Sequence, residues 1–193
     1  MKHLKYFLLA LGVIIIDQVI KLLVHFNIPM GPAGEISVLG DWFKLHYILN
    51  RGMAFGLRFG FEYGKLGLTI FRIVAMVVIG FILYRMSKKD YHSGLLWCIA
   101  AILGGAIGNV IDSVFYGVFL DNAPYDVITP WFHGQVIDML YLDLWEGYVA
   151  DWVPIWGSKK VALLPIFNVA DVAIFCGVFA ILLFQKRFLH RPV

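Results

Sequence analysis

Residues 161–184 read VALLPIFNVADVAIFCGVFAILLF, a run long and apolar enough for a helix to cross a bilayer, which takes about 20 residues. Within it, the segment IFNVAD (Ile166–Asp171) carries one carboxylate. A charge at the centre of a spanning helix costs about 2.5–3.5 kcal/mol even on the mildest scales, so Asp171 calls for a reason. The rest of the chain supplies the frame. Of its 193 residues 61% are hydrophobic and only 15% charged, and the mean hydropathy is +0.80, far from the balance of a soluble domain. This is the composition of an integral membrane protein.

Three more apolar windows, at about 4–26, 66–84 and 94–116, join 161–184 to give four spans. The expectation is an all-α membrane protein, a four-transmembrane-helix bundle forming a single membrane-embedded domain over 1–193, with no Pro/Ser-rich linker to divide it. The N-terminal MKHLKYFLLALGVIII imitates a secretory signal, yet it runs on into DQVIKLLVHF without a small-residue cleavage site and reads as a retained first helix. Lys2 and Lys5 precede span one, Arg85, Lys88 and Lys89 fill the turn between spans two and three, and Lys186, Arg187 and Arg191 follow span four. By the positive-inside rule both termini are cytoplasmic, and the loops 27–65 and 117–160 lie outside. Basic residues sorted in this way fit topology better than nucleic-acid binding.

The outer loops are rich in aromatic residues, with Trp42, Trp131, Trp145, Trp152 and Trp156 suited to headgroup level. LGDWFKLHYILN suggests strands around a Gly40-Asp41 turn, while DMLYLDLW is ambiguous between strand and interfacial helix. Cys98 and Cys176 sit in apolar runs without ligand spacing and read as small buried filler, so neither a disulfide nor a metal site is indicated.

Asp17 in span one, Asp112 near the outer end of span three and Asp171 in span four fall at similar depth, which points to a polar cavity open to the outside. Asp138, in GQVIDMLYL, can meet that cavity from the outer loop. Asp17 and Lys21 share a helical face at i, i+4, where an ion pair anchoring span one is as natural as chemistry. GNVID (Gly108–Asp112) and FNVAD (Phe167–Asp171) each set an amide three residues before a carboxylate on one helix face, either to orient it or as polar glue between helices. Gly104 and Gly108 form a small-xxx-small pair suited to close packing. No G-x-S-x-G or H-E-x-x-H occurs. The carboxylates then leave two readings, an aspartic hydrolase in which one acid is protonated while the other acts as base, or a proton-coupled membrane transporter.

Taken in order, NRGMAFG (Asn50–Gly56), GGAIGNVID, GQVIDML and FNVAD resemble the motifs of lipoprotein signal peptidase, also called signal peptidase II, over almost the whole chain. That resemblance implies a four-helix bundle with a small extracytoplasmic β-cradle and an interfacial helix in the bacterial cytoplasmic (inner) membrane, with its active site at the outer face. It implies an aspartic endopeptidase that removes the signal peptide of diacylglyceryl-modified prolipoproteins N-terminal to the lipidated cysteine. The catalytic pair falls on Asp138 and Asp171, and the supporting residues on Asp17, Asn50, Gly52, Asn109, Asp112 and Asn168, with Lys21 beside Asp17. No metal or cofactor is implied; the partners are diacylated prolipoproteins, membrane lipids and inhibitors of the globomycin type. Two departures stand out. The span-three motif usually ends Asp-Arg, whereas Asp112 is followed by Ser113, leaving Arg51, Arg58 and Arg72 as candidates for the missing cation. The segments FLDNAPYDVITPWF and EGYVADWVPIWGSKK lengthen the second outer loop.

Overall fold

The structure is a computed structural model and describes residues 3–51, 64–125, 127–148 and 160–189. The first helix, α1, runs over Leu4–Asn27 and ends where Ile28 turns extended (φ −120°, ψ 122°), as a residue before proline must. Helix α2 spans Gly64–Ser87, and α3 spans Ser93–Ile111, capped by the His92 ring, which accepts from the Gly94 amide at 3.1 Å. These helices match the first three expected spans, with α3 continuing to Phe119. Of the α3 span 44% is buried, against 11% for α2, which makes α3 the central post and leaves α2 facing outward.

Small residues let α3 approach its neighbours. A Cβ at Gly104 would stand 2.7 Å from the Ala10 carbonyl oxygen of α1, and one at Gly108 would stand 2.5 Å from the Asp17 carboxylate. The expected packing role of that pair is met, and Gly108 also makes room for a buried acid. Below this contact lies an apolar core of Tyr6, Ala10, Leu83, Leu96, Ala100 and Leu103.

At Asp112 the α3 helix widens into a π turn, Asp112–Tyr116, before a last turn α4, Gly117–Phe119. The Ser113 and Val114 carbonyls there accept from Gly134 N (3.0 Å) and Phe132 N (3.2 Å), so the turn docks the loop that leads into the sheet. Strands β1 (Ile36–Leu39), β2 (Phe43–Asn50) and β3 (Val136–Leu142) form an antiparallel sheet in the order β1-β2-β3. The turn at Gly40, with φ 53°, is where the sequence places it, and the ambiguous DMLYLDLW segment proves to be strand. Strands β4 (Glu146–Tyr148) and β5 (Lys160–Ala162) make a second small sheet. No interfacial helix longer than one turn is found among the described residues of the two long loops.

The fourth apolar run departs from expectation. Helix α5 begins only at Val169 and ends at Leu183, so residues 161–168 are outside it. Pro165 disfavours helix before it, and Asn168 supplies a complete capping box: its side chain accepts from the Asp171 amide at 2.9 Å while its own amide donates to the Asp171 carboxylate at 3.4 Å. Fifteen residues rise about 22 Å, shorter than α1 to α3. A short α6, Gln185–Leu189, follows. Of the two cysteines, Cys98 is half-buried but Cys176 is exposed on α5, a correction to the reading of both as buried filler. It points out of the bundle because the α5 face turned inward is the one carrying Ala170 and Gly177.

Candidate active site

Asp171 now has its reason: it is not mid-span but the third residue of α5, where a carboxylate meets the free amides and positive end of the helix. The segment just before α5 fixes its place. Phe167 pairs as a single bridge with Leu140 of β3, donating to the Leu140 carbonyl at 3.0 Å and accepting from its amide at 2.8 Å. This bridge sets Asn168 and the start of α5 beside Asp138, which is 1% exposed and lies opposite Ile48 of β2.

Three amides connect the two acids. Asn168 Nδ2 donates to Asp138 Oδ1 at 2.6 Å, and Asn50 Nδ2 to Asp138 Oδ2 at 2.8 Å. Asn109 Nδ2 donates to Asp171 Oδ1 at 2.8 Å, while its Oδ1 accepts from Asn168 Nδ2 at 3.2 Å. Burial, reinforced by the charge of Asp171 and opposed by the two amide donors, pushes the Asp138 carboxyl up to about 7. A group poised there serves as acid or base at neutral pH.

Behind the acids lies a second cluster. Lys21 is wholly buried and its ammonium lies 2.8 Å from Asp17 Oδ2, 2.8 Å from Asp112 Oδ2 and 3.1 Å from Asn109 Oδ1, one acceptor for each proton. Asp17 Oδ1 accepts from the Ala170 amide in the first turn of α5 at 2.9 Å, and Asp112 Oδ2 accepts from the Ile137 amide of β3 at 3.2 Å. Gln18 spans both acids with its amide, at 3.1 and 3.0 Å, and accepts from the Tyr116 hydroxyl at 2.7 Å. The cluster therefore clamps α1, α3, α5 and β3 together. The Asp17–Lys21 pair is the anchor its spacing suggests.

Of the sequence-derived residues, Asp17, Lys21, Asn50, Asn109, Asp112, Asp138, Asn168 and Asp171 are brought into one network, whereas Gly52 and Arg58 lie outside the described residues. Of the candidate arginines, Arg72 is seen to meet Ser113. Arg72 Nη1 donates to Ser113 Oγ at 2.7 Å, and the Ser113 hydroxyl in turn donates to the Asn109 backbone carbonyl at 2.9 Å. A cation thus stands where the residue after Asp112 would otherwise supply one. Sequence reading missed Gln18, Lys65 and Thr69. The last two share a face with Arg72 at i, i+4, i+7, a polar stripe that the proposed start of span two at 66 cuts off.

An open groove of about 510 Å³ is lined by Lys44, His46, Ile48 and Tyr141 of the sheet together with Pro165 and Ile166. At its mouth Lys44 is paired with Asp143 (2.8 Å) and Glu35 (3.2 Å).

Comparison with known proteins identifies the family. A family model described as signal peptidase (SPase) II matches residues 9–187. The chain is 52% identical over 190 residues to the lipoprotein signal peptidase of Amoebophilus asiaticus, covering 98% of this chain and 80% of that one. Its identity to the lipoprotein signal peptidase of Porphyromonas gingivalis is 37% over 185 residues, covering 90% and 79%. A bacterial membrane enzyme solved by the in meso method has the same fold, with a TM-score of 0.60 at 23% identity, covering 98% of this chain and 94% of that one. With a match over nearly its whole length and relatives this similar, the chain belongs to the signal peptidase II family.

Proposed function

We propose that the protein is an aspartic endopeptidase that cuts diacylglyceryl-modified prolipoproteins on the N-terminal side of the lipidated cysteine, with Asp138 and Asp171 as its catalytic pair. One observation carries the reading: a single side chain, Asn168, holds both acids, donating to Asp138 through its amide and receiving the Asp171 backbone amide on its oxygen. Protonated Asp138 donates to the scissile carbonyl oxygen while Asp171 takes a proton from the attacking water. Collapse of the tetrahedral diol returns a proton to the leaving amine. The two acids end the cycle with one proton between them, as they began it.

The groove beside β2 suits an extended peptide, because it is lined by strand residues and reaches Ile48, the cross-strand partner of Asp138. Asn50 and Asn109 orient the two acids, and Arg72 supplies the cation that Ser113 lacks. Lysine and arginine at the short connections support a topology with both termini in the cytoplasm and with the sheet and acids at the outer face of the inner membrane, where membrane lipids surround the bundle. Globomycin-type inhibitors compete for the same site. The transporter alternative has no comparable support, since the matched family is a peptidase.

The test is direct. Purified protein incubated with a diacylated prolipoprotein yields a shortened, still lipidated product. Absence of product under conditions where substrate binds contradicts the proposal.

A further inference from the structure

Among the described residues, two lysines are matched to acids and two cations on α2 are not. Lys21 lies between Asp17 and Asp112, and the less buried Lys44 between Glu35 and Asp143. The Lys65 ammonium, on the first turn of α2, is buried without a hydrogen-bond partner among the described residues. Arg72, two turns further along the same face, donates to the neutral hydroxyl of Ser113 and forms no ion pair among the described residues. Between them Thr69, fully buried, bonds the Phe132 carbonyl at 2.8 Å and fixes this face of α2 against the loop that leads to β3. Both cations lie within electrostatic reach of Asp112 and Asp138, and Arg72 also of Asp171. Arg72 touches the network only through Ser113, and Lys65 makes no bond to it.

An unpaired ammonium withdrawn from water costs several kcal/mol, and a chain that keeps one beside a reactive centre has a use for it. We propose that Lys65 and Arg72 form a substrate subsite that donates hydrogen bonds to carbonyl oxygens of the bound prolipoprotein next to the bond that is cut. This rests on the peptidase reading above. Charge selects the ligand class. Both donors stand close to the carboxylates of Asp112 and Asp138, so an anion brought between them would meet like charge. A neutral acceptor rich in lone pairs completes such a site, whereas a phosphate overcharges it. Spacing agrees: seven helical residues rise about 10.5 Å, the reach of about three residues of extended chain. The two donors therefore meet separate carbonyls along one strand of substrate.

The test compares wild type, Lys65→Met, Lys65→Arg and Arg72→Gln in phosphatidylcholine bicelles, with a fluorescent diacylated prolipoprotein peptide read both by anisotropy and by cleavage. Loss of one charged donor lowers kcat/KM by about 10- to 100-fold. The loss appears mainly as a raised KM with matching weakening of binding, and Lys65→Arg retains most of the activity. Lys65→Met, which removes an unpaired buried charge, melts no lower than wild type. Unchanged binding in Lys65→Met overturns the subsite, as does a melting temperature that falls together with binding, which marks a structural lysine. A wild-type affinity that rises on adding phosphatidylglycerol, and does so through Lys65, assigns the pair to lipid phosphate instead. Binding without cleavage by wild type contradicts the peptidase reading alone, and the anisotropy arm still decides the subsite.

Discussion

Replacing Lys21 by Met should unfold this protein from the inside. The ammonium has no exposure and spends its three protons on Asp17, Asp112 and Asn109. Met keeps the length of the side chain but leaves two buried carboxylates facing each other with no cation. Removing one partner of a buried ion pair costs about 3–5 kcal/mol. For a domain of this size each kcal/mol moves the melting temperature by about 2–4 °C. A fall of about 6–20 °C in detergent is therefore expected, measured by scanning fluorimetry. Asp112→Asn is gentler on the fold, because the amide oxygen still accepts one of the two bonds from Gln18 and the Ile137 amide, and Lys21 keeps Asp17 as its partner. It also reaches β3 one residue before Asp138, so turnover drops yet stays measurable. The combination of Lys21→Met with Asp112→Asn relieves one uncompensated charge and should fall short of the summed losses by about 1 kcal/mol or more. Strict additivity, or a Lys21→Met variant that melts like wild type, refutes the clamp.

Asp138 makes stability depend on pH in a defined direction. Its carboxyl is raised to about 7 in the fold, so the folded state binds more protons than the unfolded chain between about pH 4 and 7, and stability falls as pH climbs through that window. Asp138→Asn removes the slope, so its melting temperature should gain on wild type at pH 8 and not at pH 4; parallel curves contradict the assignment. Ser113 is fully buried against the Arg72 guanidinium, so Ser113→Arg alone should impair activity and exchange with Arg72→Ser should recover part of it. Recovery absent in a folded double variant separates the two positions. In a background free of Cys98 and Cys176, Tyr125→Cys should react with an impermeant thiol reagent from outside, and Lys89→Cys only after permeabilisation. The reverse pattern inverts the topology.

Much of this was legible in the sequence because it rests on local pattern. Apolar windows locate α1 to α3, with the ends of α2 and α3 a few residues off, and Gly40 marks the turn of the β1-β2 hairpin. The i, i+4 spacing of Asp17 and Lys21 and the i, i+3 spacing in FNVAD each foretell a real contact. What stayed hidden is decided over long sequence separations. Hydropathy cannot tell an apolar strand from an apolar helix, so the start of α5 was placed at 161, eight residues before Val169. Asn168 reads in sequence as an amide that orients a carboxylate or as polar glue; that it caps α5 and meets Asp138 depends on the Phe167–Leu140 bridge, which no periodicity announces. Gln18 looks like an ordinary polar residue until Asp112 and Tyr116 close on it from α3 and the π turn. Ser113 reads as a departure from the motif, and only the approach of α2 shows which arginine stands against it.

The central claim is that Asp138 and Asp171 act as one catalytic unit. Asp138→Asn and Asp171→Asn preserve side-chain volume and the amide contacts around Asn168. The most direct measurement is cleavage of a diacylated prolipoprotein by each single variant and by the double variant, beside binding of the same substrate. The account predicts intact binding with cleavage abolished in all three, the double being no worse than either single. Robust turnover by either single variant, with deamidation excluded by mass spectrometry, contradicts it.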